Sequence, residues 1–437
     1  MGEFDCYCLL CSGPLVPCDI GSTSRGHLTR RRRRICKKLR AIEEGRSFDS
    51  FASDSEHDSG SDQDGDDPDG SDGEVWEQDE RRSYDPDVAT SERIEWVEDV
   101  RVLGMAMKKG EGDEEGIGRS FISGRANYDD AGLIYVEQGD DPHQPSISEK
   151  SYYDCYVPSN DNDVVFPFHT HCMVVLEEAF KWSYAHSRRS KERSVPPLTH
   201  NIPKDGIPLS NSSSFDLNTL YKTATRICSL TNLNLDYGGI SGVDQCWECI
   251  PGEEYSVIDP LQFSLDALDL DYKSPSTPNP RLLTRPKVSG RATIDPFQSL
   301  PIEILHLICG YLPADALGAF LTASATAYFA TKNESFWKFL CLERVPWAWE
   351  VWRGIEGNND VDGGSEKQGA GTGEDAKQGK GIVEVDYKRL FFCLERNTAQ
   401  RFGLGVEAGA WLGLVNRRRI WDVCGRLLEE YWKDKGS

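Results

Sequence analysis

Cys8-x-x-Cys11 near the start of the chain and His169-x-x-Cys172 far downstream supply three thiols and an imidazole, the donor types of a four-coordinate structural zinc site. If His169 and Cys172 open a helix, their i, i+3 spacing puts both donors on one face. Zinc held in this way is structural, because protein fills all four positions and none is left for a substrate. Cys6, Cys18 and His171 are alternative members of the set. The competing reading makes His169 and Cys172 ordinary core residues and the N-terminal cysteines flexible thiols.

Other residues with chemical potential point elsewhere. Cys246-Trp-Glu-Cys249 has the spacing of a redox dithiol but lacks the strand-to-helix context, so buried thiols are expected. Gly379-Lys380-Gly381 lacks the closing Ser or Thr of a phosphate-binding loop. There is no Gly-x-Ser-x-Gly elbow, no metal motif with an open position and no histidine matched to a nucleophilic cysteine. No catalytic residue and no catalytic cofactor are expected.

Elements that position these residues must come from more than one core, since 437 residues predict two or three folded units. The net charge of -23 excludes a general nucleic-acid binder, which needs a basic face. Fourteen acidic residues and no Lys or Arg lie between Asp49 and Glu80, so that stretch carries most of the charge. It is too polar to repay its ordering entropy and is expected to be disordered. Ser53, Ser55, Ser59, Ser61 and Ser71 within it suit acid-directed phosphorylation. No apolar run is long enough to span a membrane and no signal peptide opens the chain, which predicts a reducing compartment, cytoplasmic and/or nuclear. Arg30 to Arg34 with Lys37 and Lys38 read either as an import signal or as a solvated basic patch facing the acidic tract.

The predicted fold class is mixed α+β. A Cys-rich, basic N-terminus (1–48) precedes the acidic tract (49–91). A small α+β domain (92–184) follows, with short strands at Phe121-Ile122, Leu133–Val136 and Val164–Phe166. Its helix starts near Cys172, where Val175, Leu176, Ala179 and Phe180 recur at helical spacing. A linker (185–214), a partly helical region (215–272) and a Pro-rich linker (273–292) lead to a helical segment at 293–342. A short connecting segment (343–353), a Gly-rich insert (354–381) and a C-terminal helical region (382–434) complete the chain. In the last, Asn416 is expected to cap a helix whose stripe is Ile420, Val423, Leu427, Leu428 and Tyr431. Arg417 to Arg419 are left to engage an acidic partner.

Within 293–342, Leu300-Pro301-Ile302-Glu303-Ile304-Leu305 begins a helix in which Ile304, Leu305, Ile308 and Leu312 share a face. Pro301 suits the first turn, Pro313 stops the helix, and Asp315 is expected to cap a second one carrying Leu317, Phe320, Leu321 and Ser324. A third helix carries Phe336, Trp337 and Leu340. Gly310 weakens the first helix by about 1 kcal/mol relative to Ala. The opposing reading is an amphipathic helical hairpin in a larger core.

This Leu-Pro-x-Glu-Ile-Leu start with Phe-Trp further on resembles the F-box, a three-helix module. Cys8-x-x-Cys11, Phe166-Pro167-Phe168-His169-x-x-Cys172, Pro346-Trp347-x-Trp349-Glu350 and Asn416–Trp421 extend the resemblance to a group of filamentous-fungal F-box proteins. The resemblance implies a non-catalytic subunit of an SCF-type cullin-RING ubiquitin ligase. Leu300, Pro301, Ile304, Leu305, Ile308, Leu312 and Trp337 would meet a Skp-family adaptor, and the flanking regions an unknown protein substrate. The alternative is a metal-stapled interaction scaffold that acts outside a ligase.

Overall fold

The computed structural model describes residues 7–16, 19–46, 83–108, 116–128, 133–136, 151–156, 164–191, 216–229, 232–233, 235–237, 249–263, 295–357 and 385–436. The acidic residues 49–80 with their serines, most of the Gly-rich insert, Cys6, Cys18 and Cys246 lie outside them. The fold is mixed α+β, as expected from the sequence, and the chain divides into two compact units, 1–262 with 400–437, and 263–399.

The first unit begins with a turn at 7–16 and the basic helix α1 (Arg25–Glu43), which Ser24 caps by accepting from the His27 amide. After the short helix α2 (Ser91–Ile94) come β1 (Val100–Lys108), β2 (Gly116–Ile122), β3 (Ala126–Tyr128), β4 (Leu133–Val136), β5 (Ser151–Asp154) and β6 (Phe166–His169). All pair antiparallel, with β1 at the centre. Leu103 of β1 faces Ile122 of β2 on one edge and Phe166 of β6 on the other. Val100, Val102, Leu103, Phe121, Phe166 and Phe168 are buried. The register ends with His169 opposite Val100, so the last residue of β6 sits at the sheet's end.

The chain turns there directly into α3 (Thr170–Lys191), with Val175, Leu176, Ala179 and Phe180 buried. This helix runs several residues into the stretch expected to be linker from 185, because nothing before Pro196 breaks it. Helix α4 (Leu217–Ile227) is capped by Asp216 and followed by the small β7 (Cys228–Ser229) and β8 (Asn232–Leu233) hairpin.

Two further boundaries differ from expectation. Residues 83–91, assigned to the acidic tract, are ordered: Tyr84, Val88 and Ala89 are buried with Ile94, Tyr255, Val257, Ile258, Leu404, Leu412 and Val415. Arg31 donates to Ser83 and Arg32 pairs with Asp85 and Asp87, so the arginine run is engaged inside this unit. The region read as 382–434 is split. Residues up to 399 belong to the second unit, and the rest join the first, where a short 3-10 turn (Val406–Trp411) leads into a long C-terminal helix.

The second unit contains α5 (Ile302–Tyr311), α6 (Ala314–Ala323), α7 (Ala325–Ala330), α8 (Glu334–Arg344), α9 (Trp349–Gly357) and α10 (Tyr387–Asn397). Four helices, not three, lie between 302 and 344. Ser324 breaks the path by taking an extended conformation (φ -115°, ψ 116°), and its hydroxyl caps α7 at the Ala327 amide. Pro301 and Pro313 occupy the N-cap positions of α5 and α6, and Asp315 sits in the first turn of α6 rather than at its cap. Pro has no N–H to leave unpaired at a helix start. Trp337 is buried, donates to the Thr331 carbonyl at 2.6 Å and packs against Phe391 and Phe392 of α10.

Asp295 ties the entry of this unit to α7. Its carboxylate accepts from the amides of Phe297 (3.0 Å) and Thr326 (2.9 Å) and from the Ser324 hydroxyl (2.9 Å). The Thr326 amide does most to hold the carboxyl down to about 2 from 3.8, with the Phe297 amide and Ser324 adding to it. A carboxyl depressed on folding stabilises above its unfolded value and loses that contribution as pH falls toward its folded value. Asp295→Asn is expected to lower the melting temperature at about pH 6, and the gap to wild type should close between about pH 4 and pH 2. Thermal melts across that range check this, and a pH-independent gap would contradict it.

Candidate metal centre

Cys8, Cys11, His169 and Cys172 converge. All four are buried, and their donor atoms lie within 4.8 Å of one another. His169 Nδ1 is 3.4 Å from Cys11 Sγ and 3.7 Å from Cys172 Sγ. A tetrahedral ion with ordinary zinc–sulfur and zinc–nitrogen bond lengths separates such donors by about 3.6 Å. The donors therefore stand at ligand spacing.

Two elements supply the ligands. The first pair sits on a tight turn in which the Cys8 amide donates to the Gly13 carbonyl and the Ser12 amide to the Cys8 carbonyl. Ser12 adopts a left-handed conformation to close it (φ 57°). The turn aims backbone N–H groups at the sulfurs, Leu10 at Cys8 Sγ (3.4 Å) and Gly13 at Cys11 Sγ (3.2 Å), and the end of β6 adds the His169 N–H to Cys8 Sγ at 3.4 Å. Gly13 suits this approach, since a Cβ there would press on Cys11 Sγ at 3.0 Å. The second pair comes from the β6–α3 junction, with His169 ending the strand and Cys172 in the first helical turn.

Neighbouring groups fix both pairs. The Leu9 amide donates to the Pro167 carbonyl of β6, which adds the turn to the sheet edge. Tyr156 and Tyr237 donate their hydroxyls to the Tyr7 and Leu9 carbonyls, each at 2.8 Å. His169 Nε2 lies 2.7 Å from the Pro14 carbonyl, so Nε2 carries the proton and Nδ1 presents its lone pair to the sulfurs. The Trp96 ring stands edge-on to His169 at 4.7 Å and holds the imidazole plane.

Burial disfavours charge on these groups, yet the cluster is polarised. At Cys8, hydrogen bonds from Cys11 and Cys172 and the nearby His169 overcome burial and hold the thiol well below its ordinary range. His169 is raised well above the imidazole range, because the Cys8 and Cys11 sulfurs outweigh its burial. Cys172 is raised by burial, and then by Cys11 and Cys8. Cys8 is thus the sulfur of the set that gives up its proton most readily, and a cation that displaces the remaining protons finds its donors in place.

Of the alternative ligands, Cys6 and Cys18 lie outside the described residues, and His171 is not in the cluster. His171 instead places Nδ1 2.8 Å from Asp259 and stacks its ring on Trp96. Cys249 is half-buried with its sulfur near the Asp19 carbonyl.

The residues read as adaptor contacts divide. Pro301 and Ile304 are exposed, Leu300, Ile308 and Leu312 are half-buried, and Leu305 and Trp337 are core residues of the second unit. Ile302, Leu307, Tyr311, Phe329 and Phe339 are exposed apolar residues that the sequence reading passed over. The signal was the i, i+3, i+7 repeat of Ile304, Leu307 and Tyr311, hidden by the overlapping inward stripe.

Asn416 is not a cap. It lies inside the helix α11 (Leu412–Gly436), buried, and donates to the Ile258 carbonyl at 2.6 Å. Arg417 and Arg419 are also buried and donate to backbone carbonyls, so they are unavailable to an acidic partner.

No protein-family model, curated protein or solved structure matches the chain. No helix among the described residues is long and apolar enough to cross a membrane.

Purified chain is expected to carry about one equivalent of a divalent metal, falling below about a tenth in Cys11→Ser or Cys172→Ser. His171→Ala and Cys249→Ser should retain it. Elemental analysis decides this, and metal-free wild type would reject the site.

Proposed function

We propose that this chain is an F-box subunit of a cullin-RING ubiquitin ligase, non-catalytic itself, which docks a Skp-family adaptor through the 295–344 region. In this reading the metal is zinc and purely structural. Three thiolates and an imidazole are soft and borderline donors that suit zinc over the hard cations. With four protein donors around the ion, no position is left at which a substrate could bind. The remaining surfaces of the chain hold the substrate, in the cytoplasm and/or nucleus.

The observation that carries the docking reading is the two-faced character of α5. Leu305 and Cys309 point into the second unit and are 2% and 0% exposed. On the other side Ile304, Leu307 and Tyr311 are 42%, 55% and 86% exposed. A surface helix normally keeps one apolar stripe and gives water a polar face. An outward apolar stripe on so short a helix supports a partner that covers it. Full burial of such a side chain is worth about 1.5–3 kcal/mol, so three of them can anchor an interface.

The stripe separates docking from folding. Ile304→Glu with Leu307→Glu is expected to reduce adaptor capture at least about 100-fold while shifting stability by less than about 1 kcal/mol. Leu305→Ala should instead destabilise by about 2–5 kcal/mol through cavity formation. Affinity purification with mass spectrometry, alongside melting curves, reads both effects. Adaptor and cullin recovered equally with wild type and the stripe variant would move the weight to the metal-stapled scaffold reading.

A further inference from the structure

We infer that Arg419 is the electrostatic counterpart of the metal centre, so that ion binding and the seating of the C-terminal helix α11 are coupled through one buried guanidinium. The inference rests on the metal reading above. Three thiolates, one neutral imidazole and a divalent ion sum to a net charge of -1. The four ligands are buried, so water does not balance that charge. A buried charge without a partner is costly, and the compensating cation must come from inside the protein.

Arg419 meets this requirement. It is 1% exposed, and Nη1 donates to the carbonyl of the ligand Cys11 at 2.6 Å. Its other donors reach neutral acceptors only: Asn416 Oδ1 from Nε (3.2 Å) and Nη2 (2.8 Å), and the Ser256 carbonyl from Nη2 (3.3 Å). Among the described residues no carboxylate forms an ion pair with it. Glu253 feels its field from further away and shares that influence with Lys38. The other buried guanidinium on this helix, Arg417, directs Nε to the Pro260 carbonyl. Arg419 is therefore a fixed positive charge, one peptide group from a metal ligand, with no formal anion of its own.

The position of α11 agrees with this role. Cys424, little more than one turn beyond Arg419, is buried and close enough for the Cys8 and Cys11 sulfurs to push its thiol further up than burial alone does. The helix thus lies over the ligand turn and delivers the guanidinium to its carbonyl. Since Asn416 Oδ1 takes two of the guanidinium's hydrogen bonds, the side chain cannot rotate away without losing both. Arg419 is a positioning residue, because it acts through Cys11 and not on the ion.

The test is a double-mutant cycle on the full chain, with zinc(II) and cobalt(II) affinities measured by chelator competition. Arg419→Met is expected to weaken metal binding at least about tenfold, and Arg419→Lys to keep it within about threefold. Cys172→His changes the ligand set to two thiolates and two imidazoles, which with a divalent ion sums to zero. In that background Arg419→Met should cost less than about threefold. Equal losses in both backgrounds would show that Arg419 only packs, and would overturn the inference while leaving the metal site standing. If Cys172→His takes up no cobalt, Cys11→His provides the same neutral set. Should that fail too, the comparison of Arg419→Lys with Arg419→Met decides alone, and equal losses overturn the inference. Wild type that binds neither ion would overturn the metal reading and this inference together.

Discussion

The first unit depends on the closure of Cys8 and Cys11 onto His169 and Cys172. Four buried donors from two distant segments meet within 4.8 Å of one another, at the end of the central strand pair and the start of α3. Bringing such segments together costs loop entropy that grows only slowly with length, so a single strong cross-link can offset a long separation. The N-terminal turn buries Tyr7, Leu9, Leu10 and Leu15 within the unit. It is held by the ligand sulfurs, by the strand-like bond from Leu9 to Pro167, and by tyrosine hydroxyls that take up its carbonyls. Without a shared ion, three buried sulfur atoms and an imidazole would be left to share protons among themselves.

The second constraint is the backbone of 254–262. Apart from one short 3-10 turn it lacks regular structure, so its carbonyls have few partners of their own, and buried carbonyls must find donors. Helix α11 supplies them. Asn416 serves Ile258, Arg417 serves Pro260, and Arg419 serves Ser256 while bridging to Cys11. The approach is so close that a Cβ on Gly413 would fall 2.6 Å from the Gln262 carbonyl and 2.7 Å from that of Asp259. Three consecutive arginines in a helix look like a surface feature by charge alone. Here two of them replace a missing strand.

This explains what was legible in the sequence and what was not. The ligand set could be read because zinc chemistry demands particular donor types at short local spacings, and those survive any separation between the pairs. The strand at Leu133–Val136 and a helix around Cys172 follow from local periodicity, whereas the strand expected at Val164–Phe166 lies at Phe166–His169. The roles of Asn416, Arg417 and Arg419 follow from no local rule, since their partners lie some 160 residues away in an irregular segment. Asn416 resembles a cap because Asn caps helices well, and only the tertiary contact moves the helix start back to Leu412. Ser324 and Asp315 differ from expectation by the role of a single position, where cap geometry and not composition decides, whereas the first helix does end before Pro313.

The apolar residues of α5 show the same limit from the other side. Periodicity assigned Ile304, Leu305, Ile308 and Leu312 to one face because consecutive apolar positions fit an inward stripe about as well as an outward one. The fold separates them: Leu305 and Cys309 pack inside, while Ile304, Leu307 and Tyr311 form a second stripe one side over. A helix of ten residues that is apolar on both faces is a poor solution for a chain that must stay in water alone. Its interior stripe already anchors it to the unit, so stability does not require the outer one. The outer stripe is then a cost to the free chain that only a covering surface offsets, which is why the case for a partner rests on those three side chains and not on Leu305 or Trp337.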